Sequence, residues 1–466
     1  MQDPIVDEIE RMLQERQAEA RELHHRHVNP GAVEELYRAG YGRSFVRAEG
    51  LELEDAGGRR YLDFLSGYGV LNLGHNHPTV RAALEAVLAR KVPGFLQVDL
   101  GLLEGLAAQR LVAALGGELD KVFFCQSGTE AVEAGLKLAR AATGRVRFVA
   151  CEGAFHGLTL GALSLNGNAD RIRPFGPLLR DVSRVPFGDL GPLERALRAR
   201  DVAAFVVEPI LGEGGAITPP AGYLRAAAEL CHRHGALFVV DEVQTGIGRT
   251  GHLLAIEHEG VRPDAVALAK ALGGGLMPVG ALVARGDVFM RAYGTAKTCR
   301  LHSNTFGGNP LAMAAVISTL AVLDRDRLIE NAAEQGAYLK AGLDRLQKRH
   351  RAVRAVHGRG LMLGLELAEL APGLLGIGPL KRLGQATSWI MAQYVAHALI
   401  EDHAIVTQAA LNREGVLKVM PPLSVTRAAV DRFTAALDTV LDGVGHGRAI
   451  GSMIAMVAKQ RRASPG

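Results

Sequence analysis

Two stretches of the chain, LFVVDEVQTGIGRTG (Leu237–Gly251) and DAVALAKALGGG (Asp264–Gly275), decide the fold. Each contains a short, almost continuous apolar run, which ends at Asp241 in the first stretch and just before Lys270 in the second, and glycines follow. Short apolar runs bounded by turn residues are typical of strands buried on both faces of a sheet. We therefore expect Asp241 and Lys270 each to lie at the carboxyl edge of a parallel sheet, where open α/β folds bind ligands.

The same alternation continues outward from these stretches and predicts an α/β fold. Apolar strands separated by helical segments indicate a mostly parallel sheet that helices cover on both faces. The predicted strands of this sheet lie at 121–125, 146–151, 203–207, 237–240, 265–269 and 281–284. Helical segments between and after them are predicted at 129–142, 222–234 and 310–323.

We expect a large domain and a small domain. The large, ligand-binding domain is predicted to span residues 75–334. Shorter strand candidates at 361–367 and 416–420 indicate a second, smaller α/β unit, and we assign residues 335–466 to it, including a basic tail. The N-terminal residues 1–74 are predicted to join this small domain.

The N-terminal region is predicted to begin with an amphipathic helix and to continue with short strands. Asp3 is a candidate N-cap and Pro4 suits the first helical position, and apolar residues at helical spacing continue to about residue 28. A strand pair is predicted within 43–64, with its turn at Gly57-Gly58.

The composition indicates an ordered globular protein and argues against several kinds of partner. Of the 466 residues, 48% are hydrophobic and 22% are charged, and no apolar run is long enough to span a membrane. The net charge of +4 is small and the basic residues are scattered, which argues against nucleic acid as a partner. The N-terminus lacks the pattern of a secretory signal, so we expect a cytoplasmic protein.

No metal site is expected. Four cysteines show no metal-ligand spacing and are predicted to be buried, reduced thiols: Cys125, Cys151, Cys231 and Cys299. The cluster His24-His25-Arg26-His27 could suggest a metal, but it lies on a charged helix. A solvated face is the better interpretation.

The segment Cys125-Gln126-Ser127-Gly128-Thr129 runs from a predicted strand into a predicted helix. The first turn of a helix offers free backbone N–H groups and the positive end of the helix dipole, and both suit a phosphate. An ordinary N-cap after a buried strand is the alternative for this segment taken alone.

Asp241 and Lys270 carry the chemistry expected of this edge. A buried carboxylate needs a cationic partner, and a protonated pyridine nitrogen would supply one and make a pyridoxal ring an electron sink. Lys270 is the only lysine between Lys137 and Lys297, and partial burial would leave it a nucleophilic amine suited to Schiff-base chemistry. A helix-capping aspartate and a snorkelling strand-end lysine are the alternatives.

The phosphate loop, the acid and the lysine follow in this order, each at the end of its own strand. This joint arrangement is far more specific for one protein family than any one of the three motifs. On these residues the chain resembles the class III (ornithine/putrescine-type) aminotransferases of pyridoxal-phosphate fold type I, over roughly residues 25–440. Within that family the putrescine branch is most similar, on the segments His27–Gly31, Ala154–Gly157 and Glu208–Gly215 and on the leading helix.

The resemblance implies pyridoxal 5'-phosphate as the cofactor and assigns roles to the matching residues. Lys270 is the covalent anchor and the acid–base group, and Asp241 pairs with the pyridine nitrogen. The other implied cofactor contacts are the phosphate-binding Ser127, Gly128 and Thr129, the ring-stacking Phe155, and Gln244 beside the ring hydroxyl. Thr305 matches the threonine that reaches the phosphate of a neighbouring subunit, so a homodimer with composite sites is expected.

Three residues of this set have ordinary structural alternatives. Phe155 taken alone is more simply a core residue, although an aromatic face over a pyridine ring would hold it flat. His156, expected at the cofactor or substrate, could equally be a satisfied structural histidine. Glu208, before Pro209, could have the purely structural role of bracing its loop.

The chain departs from the family where a substrate carboxylate is bound. The resemblance implies a basic residue, normally arginine, before a Pro-Pro-Leu motif, and a glutamate that covers it when a substrate without a carboxylate enters. The matching residues are Lys418 and Glu213, and lysine lacks the planar fork of arginine, which puts the usual 2-oxoglutarate and glutamate pairing in question. Residues 368–385 and the tail after about 445 are longer than the putrescine branch needs.

The predicted reaction is the transfer of an amino group from a diamine or ω-amino compound to a keto acid or aldehyde. A long aldehyde in a specialised route is an alternative acceptor. An aminomutase or decarboxylase on the same scaffold is the rival within the cofactor class, and it would need no second keto substrate. A nicotinamide dehydrogenase is disfavoured because no G-x-G-x-x-G opens a helix after an early strand. A catalytically silent binding protein is disfavoured because each cofactor position carries the expected chemistry.

Overall fold

The computed structural model describes residues 3–94, 99–369, 380–413 and 415–445. Within them lie fifteen strands: β1 (Phe45–Glu49), β2 (Glu52–Asp55), β3 (Arg60–Asp63), β4 (Leu119–Cys125), β5 (Arg147–Cys151), β6 (Val182–Val185), β7 (Val202–Val207), β8 (Leu237–Asp241), β9 (Ala265–Leu268), β10 (Gly280–Arg285), β11 (Val353–Arg359), β12 (Met362–Leu367), β13 (Ile405–Val406), β14 (Gln408–Ala409) and β15 (Val416–Val419).

The helices alternate with these strands through most of the chain. They are Pro4–Glu15, Ala20–His27, Pro30–Arg38, Pro78–Ala89, Leu102–Ala114, Gly128–Thr143, Leu160–Leu165, Ala169–Ile172, Leu190–Leu197, Tyr223–His234, Gly286–Tyr293, Pro310–Arg325, Leu328–Arg349, Leu380–His403 and Arg427–Gly445. A four-residue helical turn, Ser66–Gly69, contains Gly67 and Tyr68 in the left-handed region.

A seven-stranded sheet in the order β4-β10-β9-β8-β7-β5-β6 forms the centre of the molecule. Strand β10 runs antiparallel to both of its neighbours, and the pairs from β9 to β6 are parallel. The mostly parallel mixed sheet predicted from the sequence is therefore confirmed. The six predicted strands are all present, and β6 is a seventh that the pattern did not indicate.

Both faces of this sheet are buried, because alternate strand residues enter two separate apolar clusters. In β8, Phe238 and Val240 belong to the first cluster, whereas Leu237 and Val239 belong to the second. Helix Gly128–Thr143 contributes to the second cluster, and helices such as Tyr223–His234 and Pro310–Arg325 contribute to the first. This burial on both faces explains why the strands read as continuous apolar runs.

Two four-stranded sheets complete the fold. One has the order β1-β2-β3-β13 and the other β11-β12-β15-β14. The predicted N-terminal strand pair is the β2–β3 hairpin, and β13 from the far end of the chain joins it in parallel. The strand candidates near 361–367 and 416–420 are β12 and β15, which pair antiparallel.

Two details differ from the sequence prediction. The N-terminal helix is not continuous: helix Pro4–Glu15 ends at Arg16, and a short 3₁₀ turn separates it from Ala20–His27. Its N-terminal cap is as predicted, because Oδ1 of Asp3 accepts a hydrogen bond from the N–H of Ile5 at 2.9 Å. Cys299 is exposed, because it lies in a surface turn; the other three cysteines are buried, and all four are free thiols.

The two predicted extensions fall largely outside the described residues. Residues 370–379 of the predicted insertion and the tail from 446 onward are not described. The three histidines His24, His25 and His27 are exposed on their helix.

Candidate active site

The carboxyl edge of the seven-stranded sheet carries most of the predicted site residues. Asp241 ends β8, Glu208 follows β7 directly, and Lys270 lies two residues after β9. One cavity of about 480 Å³ is lined by ten of the residues singled out in the sequence: Ser127, Gly128, Thr129, Phe155, His156, Glu208, Glu213, Asp241, Gln244 and Lys270. Its volume is typical of a small-molecule pocket.

Helix Gly128–Thr143 presents its N-terminal end to this cavity. Ser127 is the N-cap, and its Oγ accepts a hydrogen bond from the N–H of Glu130 and donates one to Oε2 of the same residue at 2.9 Å. A Cβ added at Gly128 would lie 2.7 Å from Cγ1 of Val243, so glycine is required for this approach. First-turn N–H groups and the helix dipole make this end an anion site.

Asp241 is held from two sides. Its Oδ2 lies 2.7 Å from Nδ1 of His156, and its Oδ1 accepts a hydrogen bond from the N–H of Val243 at 3.0 Å. Burial lowers the pKa of His156, but the hydrogen bond and charge of Asp241, with the charge of Glu208, outweigh it and raise the pKa above its ordinary value. His156 therefore holds Asp241 by a direct side-chain contact inside the site.

Only one of the two ring nitrogens of His156 contacts Asp241. Nε2 is buried and has no hydrogen-bond partner within the described part of the chain. The backbone N–H of His156 donates to Oδ1 of Asn166 at 2.6 Å, which fixes the loop behind the ring. His156 thus lines the cavity and also orients the neighbouring carboxylate of Asp241.

Glu208 joins two loops of the cavity through their backbones. Its Oε1 accepts a hydrogen bond from the N–H of Phe155 and its Oε2 accepts one from the N–H of Gly212, each at 2.9 Å. Burial is the main cause that raises the pKa of Glu208 to about 7. These contacts match the bracing alternative considered for Glu208.

Lys270 lies on strained backbone ahead of a glycine turn. Its φ of 47° is in the left-handed region, which side-chain-bearing residues rarely adopt. Burial, reinforced by the positive charge of Lys418, lowers the pKa of Lys270 to about 8 against the attraction of nearby carboxylates. The lowered pKa increases the share of neutral, nucleophilic amine near neutral pH.

Glu213 and Lys418 form a buried ion pair at one side of the cavity. Nζ of Lys418 donates to Oε1 of Glu213 at 2.5 Å, and Nε2 of Gln244 donates to the same oxygen at 3.2 Å. Burial would raise the pKa of Glu213, but the charge and hydrogen bond of Lys418 hold it below its ordinary value. Glu213 lines the cavity, whereas Lys418 does not.

Gln244 also contacts the helical turn near the N-terminus. Its Nε2 lies 3.1 Å from the backbone oxygen of Tyr68, and its buried Oε1 has no partner among the described residues. Tyr68 additionally places its ring centroid 5.1 Å from Nζ of Lys418. An amide oxygen that lacks a partner beside a cavity suits a ligand that can donate a hydrogen bond.

Thr305 is the one predicted cofactor residue that the structure does not bring to this cavity. It is exposed and lies outside the lining residues. Its neighbours Ser303, Asn304 and Gly307 line a second, larger opening on the surface.

Sequence reasoning missed three residues of the site region. Asn166 has no local signal, because its role is to fix the His156 loop. Tyr68 lies between two glycines, which mark a turn and do not predict a contact. Arg249 belongs to the quoted stretch but received no role.

Arg249 links the sheet edge to the C-terminal strands. Its side chain is fully buried, and its guanidinium donates to the backbone oxygens of Leu361, at 3.1 Å, and Pro421, and to Oδ1 of Asn72 at 2.5 Å. Burial lowers the pKa of Arg249 to about 9.

The sequence matches a known protein family over most of its length. The sequence model of the family described as "Aminotransferase class-III" matches residues 38–441. The chain belongs to the class III aminotransferases. It is therefore a pyridoxal-phosphate-dependent enzyme that transfers amino groups, and the predicted fold class is confirmed with it.

Two curated relatives cover most of this aminotransferase. It is 42% identical over 430 residues to the putrescine aminotransferase of Pectobacterium atrosepticum. This alignment covers 89% of this chain and 86% of that protein. It is 37% identical over 449 residues to the aminotransferase PigE of Serratia sp.. That match covers 90% of this chain and 53% of PigE, so the chain spans about half the length of that relative.

Solved structures agree with the family. The ornithine aminotransferase of Toxoplasma gondii superposes with a TM-score of 0.76 at 31% identity, covering 86% of this chain and 90% of that chain. An amine transaminase from an uncultivated Pseudomonas species, in its PLP-bound form, superposes with a TM-score of 0.75 at 29% identity. The superposition covers 86% of this chain and 95% of that chain. Among the described residues, no helix has both the length and the apolar character of a membrane span.

The residues of the cavity fit the cofactor of this family. The helix end at Gly128 suits its phosphate and the buried Asp241 suits its ring nitrogen. The buried Oε1 of Gln244, which has no partner among the described residues, suits a hydroxyl. The amine of Lys270 in the same cavity suits its aldehyde.

Proposed function

We propose that the amino donor is a terminal amine, such as a diamine or ω-amino compound, and that the acceptor is a keto acid or aldehyde. The observation that carries this proposal is the buried contact between Glu213 and Lys418, which covers the cation where a substrate carboxylate would bind. The similarity to a putrescine aminotransferase, at 42% identity, gives independent support.

The walls of the cavity also favour a substrate with an aliphatic chain. Apolar side chains form one part of the lining: Val70, Leu276, Met277, Pro278 and Val279. A methylene chain between the reacting amine and the far end of the substrate would lie against this surface. A long aldehyde acceptor, the alternative considered from the sequence, would use the same wall.

Bound pyridoxal phosphate supplies a reactive aldehyde and a ring that accepts electrons. In this proposal the amine of Lys270 would hold the cofactor covalently and, when free, would take up and return the proton at the reacting carbon of the substrate. Asp241 holds the proton on the ring nitrogen, and His156 orients Asp241 from behind. The support is their shared cavity and the contact of 2.7 Å between them.

The remaining residues bind and orient the cofactor. Ser127, Gly128 and Thr129 hold the phosphate at the helix end, and Phe155 stacks on the ring and excludes water. Gln244 approaches the ring hydroxyl through its buried Oε1.

The active unit is a homodimer in this proposal. Thr305 lies outside its own cavity on the surface, as expected of a residue that completes the site of a second copy. Exposed apolar side chains nearby, including Leu301 and Phe306, are of the kind that a subunit interface covers. A cytoplasmic location also belongs to the proposal, and four free thiols accord with a reducing compartment.

Single-turnover half-reactions test the donor. The cofactor-loaded protein is mixed in turn with a diamine, an ω-amino acid and an α-amino acid, and the absorbance of the bound cofactor is followed. We expect the diamine and the ω-amino acid to react faster than the α-amino acid, and a preference for the α-amino acid would contradict the proposal. Turnover of the amine without any keto acid or aldehyde would favour an aminomutase or a decarboxylase instead.

A further inference from the structure

The glutamate of the buried pair is held by a second partner on its other side. Oε2 of Glu213 accepts a hydrogen bond from the N–H of Leu411 at 3.3 Å, and the backbone oxygen of Glu213 accepts one from the N–H of Asn412 at 2.9 Å. Leu411, Asn412 and Arg413 form a short segment between β14 and β15, which we term the 411–413 segment. Its backbone therefore helps to hold Glu213 against Lys418.

The 411–413 segment is tied to the C-terminal sheet by an ion pair. Nη2 of Arg413 donates to Oε2 of Glu366 at 2.9 Å, and Nε2 of His357 lies 2.8 Å from the same oxygen. Glu366 is buried on β12, opposite Val416 of β15. The ion pair therefore connects the 411–413 segment to the sheet that carries Lys418.

The other end of the segment contacts loops of the large sheet. The backbone oxygen of Leu411 accepts a hydrogen bond from Arg171 at 3.3 Å, and Nδ2 of Asn412 donates to the backbone oxygen of Gly153 at 3.4 Å. These distances are longer than that of the Arg413 contact. The segment thus bridges the two sheets, and its shortest side-chain anchor is Glu366.

We propose that Arg413 is a positioning residue for substrate selection, because it places the two backbone amides that keep Glu213 on Lys418. This inference rests on the proposed role of the Glu213–Lys418 pair in covering the carboxylate site. A loosened segment would weaken the hold on Glu213 and leave Lys418 freer to bind a carboxylate. Carboxylate substrates should gain from this change, and amines without a carboxylate should lose.

The test compares Arg413→Ala with Arg354→Ala. Arg354 also pairs with Glu366, at 3.5 Å, but makes no hydrogen bond to the 411–413 segment in the described part of the chain, and its side chain is more exposed. In the cofactor-loaded enzyme, Arg413→Ala should lower KM for 2-oxoglutarate and raise KM for a diamine. Each change should be about two- to tenfold, the effect of losing one hydrogen bond of ordinary strength. Arg354→Ala should leave both constants unchanged, and Arg413→Lys should restore part of the wild-type ratio.

A second measurement does not depend on substrates. Hydrogen exchange of the amides of Leu411 and Asn412 should be faster in Arg413→Ala than in the wild type or Arg354→Ala. Unchanged exchange would overturn the positioning role of Arg413. The variant Lys418→Ala separates the two remaining outcomes. If Lys418→Ala alters KM for 2-oxoglutarate, faster exchange with an unchanged KM ratio in Arg413→Ala would also overturn the positioning role. If Lys418→Ala has no effect on that KM, the proposed role of the Glu213–Lys418 pair itself has failed.

Discussion

Nζ of Lys418 lies 2.5 Å from Oε1 of Glu213, and both side chains are buried although 205 residues separate them in the chain. Two charges removed from water compensate each other only while they remain paired, and removing one partner of such a pair costs about 3–5 kcal/mol. A carboxylate substrate that binds Lys418 must therefore displace Glu213 and replace its charge. In the proposed function, an amine without a carboxylate would leave the pair intact.

Lys418→Arg should improve the use of keto acids. A guanidinium binds a carboxylate with two parallel hydrogen bonds, whereas an ammonium offers no planar fork, and one charge-assisted hydrogen bond is equivalent to about ten- to hundredfold in binding. The apparent KM for 2-oxoglutarate should fall while diamine oxidation stays nearly unchanged. If neither Lys418→Arg nor Lys418→Ala alters the keto-acid half-reaction, another basic residue binds the carboxylate.

Lys270→Ala should abolish turnover because it removes both the covalent anchor and the acid–base group. The absorbance band of the lysine-bound cofactor should disappear, although the cofactor can still bind through Ser127, Gly128 and Thr129. Absorption spectra before and after borohydride treatment provide the measurement. A borohydride-sensitive band that persists in the variant would place the covalent bond on a different lysine.

Covalent attachment of the cofactor to the apo-protein should depend on pH through Lys270. Burial and the charge of Lys418 lower its pKa to about 8, and only the neutral amine attacks an aldehyde. The attachment rate, followed by absorbance, should rise with pH and level off above about 8, well below the ordinary lysine value. Lys418→Gln removes one of the two lowering causes and should move the midpoint to higher pH; a shift to lower pH would refute the electrostatic link.

Asp241→Asn should retain the fold and lose most activity. An amide cannot hold the positive charge on the ring nitrogen, so the electron sink is lost and the rate should fall by orders of magnitude. His156→Gln is the companion variant: it keeps Asp241 but removes its partner at 2.7 Å, so we expect a smaller fall in kcat with nearly unchanged substrate KM. Near-normal rates for Asp241→Asn would exclude its proposed role.

Activity should depend on dimer formation if Thr305 completes the site of a second subunit. Sedimentation and activity measured over a dilution series should decline together, and Thr305→Ala should weaken cofactor retention in the dimer. Lys297→Ala, at another exposed residue earlier in the chain, is a suitable control. A monomer with full activity at high dilution would refute the composite site.

The sequence by itself determined the parts of this aminotransferase that depend on local pattern. Apolar runs predicted six strands of the central sheet because strands buried on both faces require them, and the polar residue at each strand end then had to lie at the carboxyl edge. Asp241 and Lys270 could be placed for this reason. The short β6 and the break at Arg16 carry no comparable local signal.

Only the tertiary structure decided which of these residues meet. His156 contacts Asp241 across 85 positions, and the 411–413 segment reaches Glu213 from almost two hundred residues away. Pattern within one segment reports which face of an element is buried, but it carries no information about the partner that buries it. The pairing of Lys418 with Glu213, and its support by Arg413 through the backbone, therefore became visible only when two separate sheets were brought together.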